Sequence, residues 1–222
     1  MIVAVVPVAF FTESHIDMTR DFLKRLAPEV DRIGVWHNGG SMAAGGARLL
    51  AWHLADPTFR LFHAEGWTFY RMWNAGAAWA QDLGADVALF LNNDIEWPPG
   101  ALRALGEGLA AGPPDIAAAS PDPAADFHPG ELVDINATPA YRGLMGWCFA
   151  VRPTYWQNID ERYQVWYGDD ELGRLMHEAG WRCVRAQGVP VQHPVNETTM
   201  QYREGLWDMR HADEALYNSK WA

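Results

Sequence analysis

The sequence predicts an α/β fold built on an open, mostly parallel sheet flanked by helices, and three observations carry this. The chain begins with a valine-rich apolar run, Ile2-Val3-Ala4-Val5-Val6-Pro7-Val8, continuous rather than alternating, as in a strand covered on both faces. A second such run, Ala85-Asp86-Val87-Ala88-Leu89-Phe90-Leu91, stops abruptly at Asn92-Asn93-Asp94. Between and beyond them, strand-like and helix-like segments alternate over the first 120 residues, the pattern of β-α-β units.

The first strand is expected over residues 2–11. Ser14 is the expected N-cap of a helix over 16–26, where Ile16, Phe22, Leu23 and Leu26 recur at helical spacing and Pro28 follows. Arg32 to Trp36 reads as a second strand running into the turn sequence His37-Asn38-Gly39-Gly40. A short helix over 46–55 ends before Pro57, a third strand covers 59–63, and a helix from 69 to 83 leads into the strand ending at Leu91. Pro98 and Pro99 start a helix that reaches Ala111, and 115–119 is a fifth strand. The pattern then changes. Pro121 to Gly130 carries three prolines without periodicity, a surface loop. Residues 131–136 and 144–151 are strand-like, 169–179 helical, 183–186 a short strand, and 199–217 a terminal helix.

With 222 residues, 49% of them apolar and 20% charged, the chain is of ordinary globular composition and single-domain size. Seventeen basic residues against 28 acidic ones leave a formal charge of −11, which argues against a surface built to grip nucleic acid or anionic lipid. Cys148 and Cys183 are too few for a disulfide framework and stand in no metal-ligand spacing, so reduced thiols and a cytoplasmic location are expected. The N-terminal run has no basic region before it and no small-residue cleavage site after it, so a strand is expected there rather than a leader. No apolar run approaches the roughly 18 residues of a membrane span.

In open α/β sheets, ligands bind beyond the C-terminal ends of the strands. That rule gathers Pro7, Ala9 and Phe10, His37 and Asn38, and Asn92, Asn93 and Asp94 as candidate ligand-binding residues. A carboxylate such as Asp94, held at the end of a rigid strand, suits Mg²⁺ or Mn²⁺, which take one or two carboxylates and leave positions for water and ligand phosphates. The same residue types also simply open a turn. Trp166-Tyr167-Gly168-Asp169-Asp170-Glu171-Leu172 places three acids at a helix start. Capping and the helix dipole account for them, and a carboxylate behind two aromatics and a glycine also suits a general base. Arg71 and Asn74 share a helical face at a spacing of three; an arginine suits a diphosphate, while the aromatics around it suit packing into the sheet. His193 follows a short strand, and a lone histidine is more often structural than a ligand. The glycine-rich stretch 39–46 is neither a phosphate loop nor a dinucleotide fingerprint.

In this order the motifs resemble the GT-A glycosyltransferases, most closely the large inverting group called family 2. The resemblance runs from about residue 2 to 195. It rests on the first strand, the second strand ending in Asn-Gly, Asn74-Ala75-Gly76, Asn92-Asn93-Asp94, Gly143 to Phe149, Ile159 to Tyr163, Gly168 to Leu172, and the downstream His193. It implies a nucleotide-sugar-binding half over 1–120, an acceptor and catalytic half over 121–195, and a helical tail over 196–222. It further implies that Asp94 ligates Mn²⁺ or Mg²⁺ on the diphosphate of a nucleotide-sugar donor, with His193 as second protein ligand. Asp169, or its neighbour Asp170, would take the acceptor proton in an inverting displacement. Pro7, Ala9, Phe10, His37, Asn38, Arg71, Asn74, Asn92, Asn93 and Asp94 would surround the donor, and Trp147, Trp166 and Tyr167 the acceptor, since sugar C–H faces pack on aromatic rings.

The chain departs from the family pattern at three places. His37 stands where an Asp is usual, Asn92 replaces the first acid of the Asp-x-Asp element, and Gly168 stands where many members carry a Glu. These departures leave a catalytically inactive binding or assembly module as the alternative. A sugar nucleotidyltransferase fits less well, because Pro7 to Phe11 stand where its basic glycine-rich loop belongs. The acceptor is open among a glycan, a lipid carrier, a protein, a small molecule and a modified base. The terminal helix is expected either to pack on the domain or to form a homodimer contact.

Overall fold

The computed structural model describes residues 1–9, 12–39, 43–122, 144–193 and 203–221. Among the described residues, seven strands form one sheet: β1 (Ile2–Val8), β2 (Arg32–His37), β3 (Phe59–His63), β4 (Val87–Leu91), β5 (Ile116–Asp122), β6 (Cys148–Val151) and β7 (Arg182–Gln187), in the spatial order β3-β2-β1-β4-β6-β5-β7. All pairings are parallel except those of β6, which runs antiparallel to both β4 and β5. The expected mostly parallel sheet is therefore present, and the C-terminal ends of β1, β2 and β4 lie side by side along one edge.

The helices are α1 (Glu13–Leu26), α2 (Ala43–Ala55), α3 (Phe69–Asp82), α4 (Ala101–Ala111), α5 (Gly168–Glu178) and α6 (Arg203–Trp221). Several boundaries differ from expectation: α2 begins at Ala43, β5 runs through Pro121 to Asp122 where a loop is expected, β6 begins only at Cys148, and the terminal helix reaches Trp221. β1 ends at Val8, with Phe10 and Phe11 outside the described residues. α1 is capped by Thr12, whose hydroxyl accepts the His15 N–H, so Ser14 falls inside the first turn. The strand expected over 131–136 and most of the proline-rich loop lie outside the described residues.

The sheet separates two apolar layers, which explains why its strands read as unbroken runs. Along β1, Ile2, Ala4, Val6 and Val8 join the layer of Ile16, Leu49 and Leu105, while Val3 and Val5 join that of Tyr70, Trp73 and Phe149. β4 alternates likewise, with Val87, Leu89 and Leu91 on the first layer and Ala88 and Phe90 on the second. Full burial of such side chains contributes roughly 1.5–3 kcal/mol each. The second layer is aromatic: Phe90 and Phe149 stack at 5.0 Å, and Phe90 and Trp156 at 4.7 Å. Several tryptophans are thus core residues, among them Trp36, Trp73, Trp97 and Trp156.

α3 lies hard against β1. A Cβ at Gly76 would fall 2.4 Å from Val5 Cγ1, so only glycine permits this approach. Leu216 and Tyr217 of α6 pack on the second layer, while Trp207 and Met209 on the same helix stay exposed. Among the described residues, no helix is long and apolar enough to cross a membrane.

Candidate functional site

The turn after β4 is fixed from three directions. The Asn92 N–H donates to the Trp147 carbonyl (2.9 Å), and Asn93 Nδ2 donates to Thr19 Oγ1 on α1 (2.6 Å). Glu96 and Gln192 form an isolated antiparallel bridge, each N–H donating to the other's carbonyl at 2.8 Å. This bridge carries residue 193 to the end of β4. His193 Nε2 consequently stands 3.0 Å from Asp94 Oδ1, with both side chains largely buried, at 14% and 8% exposure. The Trp147 ring stacks on the imidazole, centroids 5.5 Å apart.

Although close, Asp94 Oδ1 and His193 Nε2 have no hydrogen-bond partner, each other included. Burying two polar atoms that make no hydrogen bond costs free energy. A divalent cation shared by a carboxylate oxygen and a neutral imidazole nitrogen would satisfy both, and the donor set suits Mn²⁺. The described residues hold no group of three or more His, Cys, Asp or Glu side chains able to bind a metal, so further ligands would come from water or substrate, as in an open site.

The second half of the site is built at the start of α5. Tyr167 precedes the helix with φ 67°, the only described non-glycine residue in the left-handed region, a conformation concentrated at functional sites. At Gly168 a Cβ would fall 2.1 Å from the Tyr70 ring. Tyr70 is buried, and its hydroxyl donates to the Val165 carbonyl (2.5 Å). The glycine that departs from the family pattern is therefore the space that Tyr70 occupies.

Asp169 Oδ2 accepts the Gly146 N–H at 3.0 Å. Its carboxyl is packed among protein atoms, and that burial, with the neighbouring Asp170 charge, pushes its pKa up to about 6 against the pull of the surrounding backbone N–H groups.

One cavity of about 320 Å³ joins the two halves. Of the residues expected at the site, Pro7, Ala9, Asn38, Asn92, Asn93, Asp94, Trp147, Trp166, Asp169 and His193 line it. Others do not. Asn74 is consumed by structure: its Oδ1 accepts from Trp156 Nε1 (3.1 Å) and the Ile159 N–H (3.0 Å), and its Nδ2 donates to the Ile159 carbonyl (2.8 Å). Arg71, on the same helical face, lies over the Trp67 ring at 4.4 Å and 3.9 Å from Glu161. Both residues thus serve the 156–161 segment rather than the cavity.

His37 sits at the end of β2 against Gly46 of α2, where burial and the neighbouring His63 lower its pKa. Asp170 and Tyr167 also lie outside the cavity lining, Tyr167 packing beside Tyr217 at 5.3 Å. Phe10 is outside the described residues. Tyr70, Met18 and Leu206 line the cavity without having been singled out in the sequence, and Gly146, from the Gly143 to Phe149 motif, lines it too.

No protein-family model matches the chain, and no curated protein sequence does. Solved structures do match. Glucosyl-3-phosphoglycerate synthase from Mycobacterium tuberculosis, crystallised with Mn²⁺, UDP and glucosyl-3-phosphoglycerate, is similar with TM-score 0.62 and 15% identity, over 98% of this chain and 79% of that one. The mannosyltransferase PcManGT from Pyrobaculum calidifontis, in complex with GDP-Man and Mn²⁺, gives 0.59 and 12%, over 85% of this chain and 56% of that one. GalNAc-T7 with UDP, GalNAc and Mn²⁺ gives 0.60 and 12%, over 86% and 43%. The chain has the GT-A fold. It spans about half the length of the latter two proteins. Within the GT-A sheet, the cavity opens where β1, β2 and β4 end, the position the parallel topology dictates.

Proposed function

We propose that this chain is a metal-dependent, inverting glycosyltransferase that moves a sugar from a nucleotide-diphosphate donor to an acceptor hydroxyl. The observation that carries the reading is one cavity lined both by the unpartnered Asp94–His193 pair and by a carboxyl whose pKa is raised to about 6. Three GT-A neighbours crystallised with Mn²⁺ and a nucleotide or nucleotide sugar support it.

Asp94 and His193 would hold Mn²⁺ or Mg²⁺, which when bound offsets the negative charge that develops on the departing nucleoside diphosphate. Asp169 acts as the general base. Above about pH 6 its carboxylate is ionised and takes the proton of the acceptor hydroxyl as that oxygen forms its bond to the anomeric carbon. The bond from that carbon to the diphosphate oxygen breaks on the opposite side, which inverts the configuration. The Gly146 N–H orients the carboxylate for this step. Trp147 and Trp166 offer ring faces and edges to the sugars.

The test is thermal unfolding of the chain with UDP, GDP, dTDP or CMP and their sugar conjugates, each with and without Mn²⁺, since a ligand of the native state raises the midpoint. A rise that needs both metal and one nucleotide supports the reading and names the donor. No rise with any of them, on folded protein, overturns it.

A further inference from the structure

Three consecutive backbone N–H groups converge on one carboxylate nearly fifty residues further along the chain. Asp213 of α6 is 2% exposed. Its oxygens accept from the N–H groups of Gln164 (2.9 and 3.1 Å), Val165 (3.0 Å) and Trp166 (2.9 Å). A carboxylate removed from water this completely persists only when hydrogen-bonded, and these contacts bind α6 to a single loop.

That loop leads directly into the site. Trp166 lines the cavity. The Val165 carbonyl takes the Tyr70 hydroxyl, and the Tyr70 ring fills the space over Gly168, the residue before Asp169. Between them lies Tyr167 in its left-handed conformation, which persists only where the surroundings over-determine it. Elsewhere α6 is fastened as well: Lys220 pairs with Glu171 of α5 and with Asp160, Arg174 donates to the Trp221 carbonyl at 3.2 Å, and Leu206 lines the cavity.

We propose that Asp213 is the positioning residue of the acceptor side, holding residues 164–166 so that the Trp166 wall and the Asp169 carboxylate keep their places in the cavity. Its part in transfer rests on the glycosyltransferase reading; its hold on Trp166 does not. Asp213 itself lies outside the cavity lining and acts through the loop.

The experiment uses the full chain with Asp213→Asn, which keeps the shape and one accepting oxygen, and Asp213→Ala, which removes both. The first readout is fluorine NMR of protein carrying 5-fluorotryptophan, with the Trp166 resonance assigned by Trp166→Phe. In Asp213→Ala that resonance shifts and broadens while those of Trp52 and Trp97, in the other apolar layer, keep their positions; Asp213→Asn lies between. The second is Mn²⁺-dependent turnover of the nucleotide sugar identified by thermal shift: kcat falls about tenfold or more while affinity for the nucleoside diphosphate with Mn²⁺ stays within about twofold.

An unmoved Trp166 resonance, a moved one with unchanged kcat, or nucleotide affinity falling in step with kcat each overturns the proposal. If Asp213→Ala fails to fold, Asp213→Asn carries the same criteria. If the wild-type chain binds no nucleotide, the transferase reading has failed, and the Trp166 resonance alone decides whether Asp213 holds the cavity wall.

Discussion

The Asp94 carboxylate and the His193 imidazole stand 3.0 Å apart, yet Asp94 Oδ1 and His193 Nε2 are buried without a hydrogen-bond partner. Nothing local in the sequence joins them. What joins them is the two-residue bridge between Glu96 and Gln192, which hangs the segment after β7 on the turn after β4. The pair is held at ion-pair distance without a hydrogen bond between the two atoms, and under the proposed function it is where the divalent ion would bind.

Asp94→Ala and His193→Ala should each remove the Mn²⁺-dependent part of nucleotide binding. A loss of about tenfold or more in affinity corresponds to ~1.4 kcal/mol or more and is measured by calorimetric titration of UDP or GDP with and without Mn²⁺. Unchanged Mn²⁺-linked affinity in either variant removes that residue from the metal site.

The strands and most helices were legible because buried parallel strands must be apolar on both faces and helices must present periodic apolar stripes, both local properties. The cavity residues at strand ends were legible for the same reason, since topology alone places them. Asn74 and Arg71 misled because residues on one helical face are visible in sequence, but the partner of that face is not. Here it is the 156–161 segment, about eighty residues later. Tyr70 left one trace in the sequence, the glycine at 168, whose meaning requires knowing which ring lies over it.

Gly168→Ala tests that packing. The added methyl would meet the Tyr70 ring at 2.1 Å, and Tyr70 is held by its own hydrogen bond to Val165, so relief requires moving a fixed group. Overpacking of this kind costs about 1–3 kcal/mol, a fall in Tm of roughly 2–12 °C for a chain of this size. A calorimetric Tm equal to wild type would mean that Tyr70 is free to move.

Asn74→Ala should separate structure from binding. It strands the Trp156 indole N–H and the Ile159 N–H, each worth about 1–3 kcal/mol when left unsatisfied, so urea unfolding should show a clear loss of stability. Mn²⁺-linked nucleotide affinity should stay at the wild-type value, because the side chain lies outside the cavity lining. A selective loss of affinity would return Asn74 to the donor site.

If Asp169 is the base proposed above, its proton should link stability to turnover. Its pKa in the folded chain is about 6 against an ordinary 3.8, so the folded state holds the proton more tightly than the unfolded one. Below about pH 3 both states are protonated and the group costs nothing. As pH rises from there to about 6 the unfolded chain ionises first, and stability falls until the folded carboxyl ionises too, a cost on the order of 3 kcal/mol. Asp169→Asn, whose side-chain carbonyl still accepts the Gly146 N–H, removes that cost. It should match wild type near pH 3 and exceed it by roughly 1–3 kcal/mol near pH 8 in urea unfolding. Its turnover should fall about 10²–10⁴-fold, while wild-type turnover climbs through about pH 6 as the base ionises. A variant less stable than wild type near pH 8 would mean that the surroundings do not penalise the charged carboxyl, and a wild-type rate flat between about pH 5 and 7 would take the base role away from Asp169. The expected gain at Asp169→Asn rests on the burial that disfavours the native charge, and under the proposed function that same burial is what would let the carboxylate receive a proton near neutral pH.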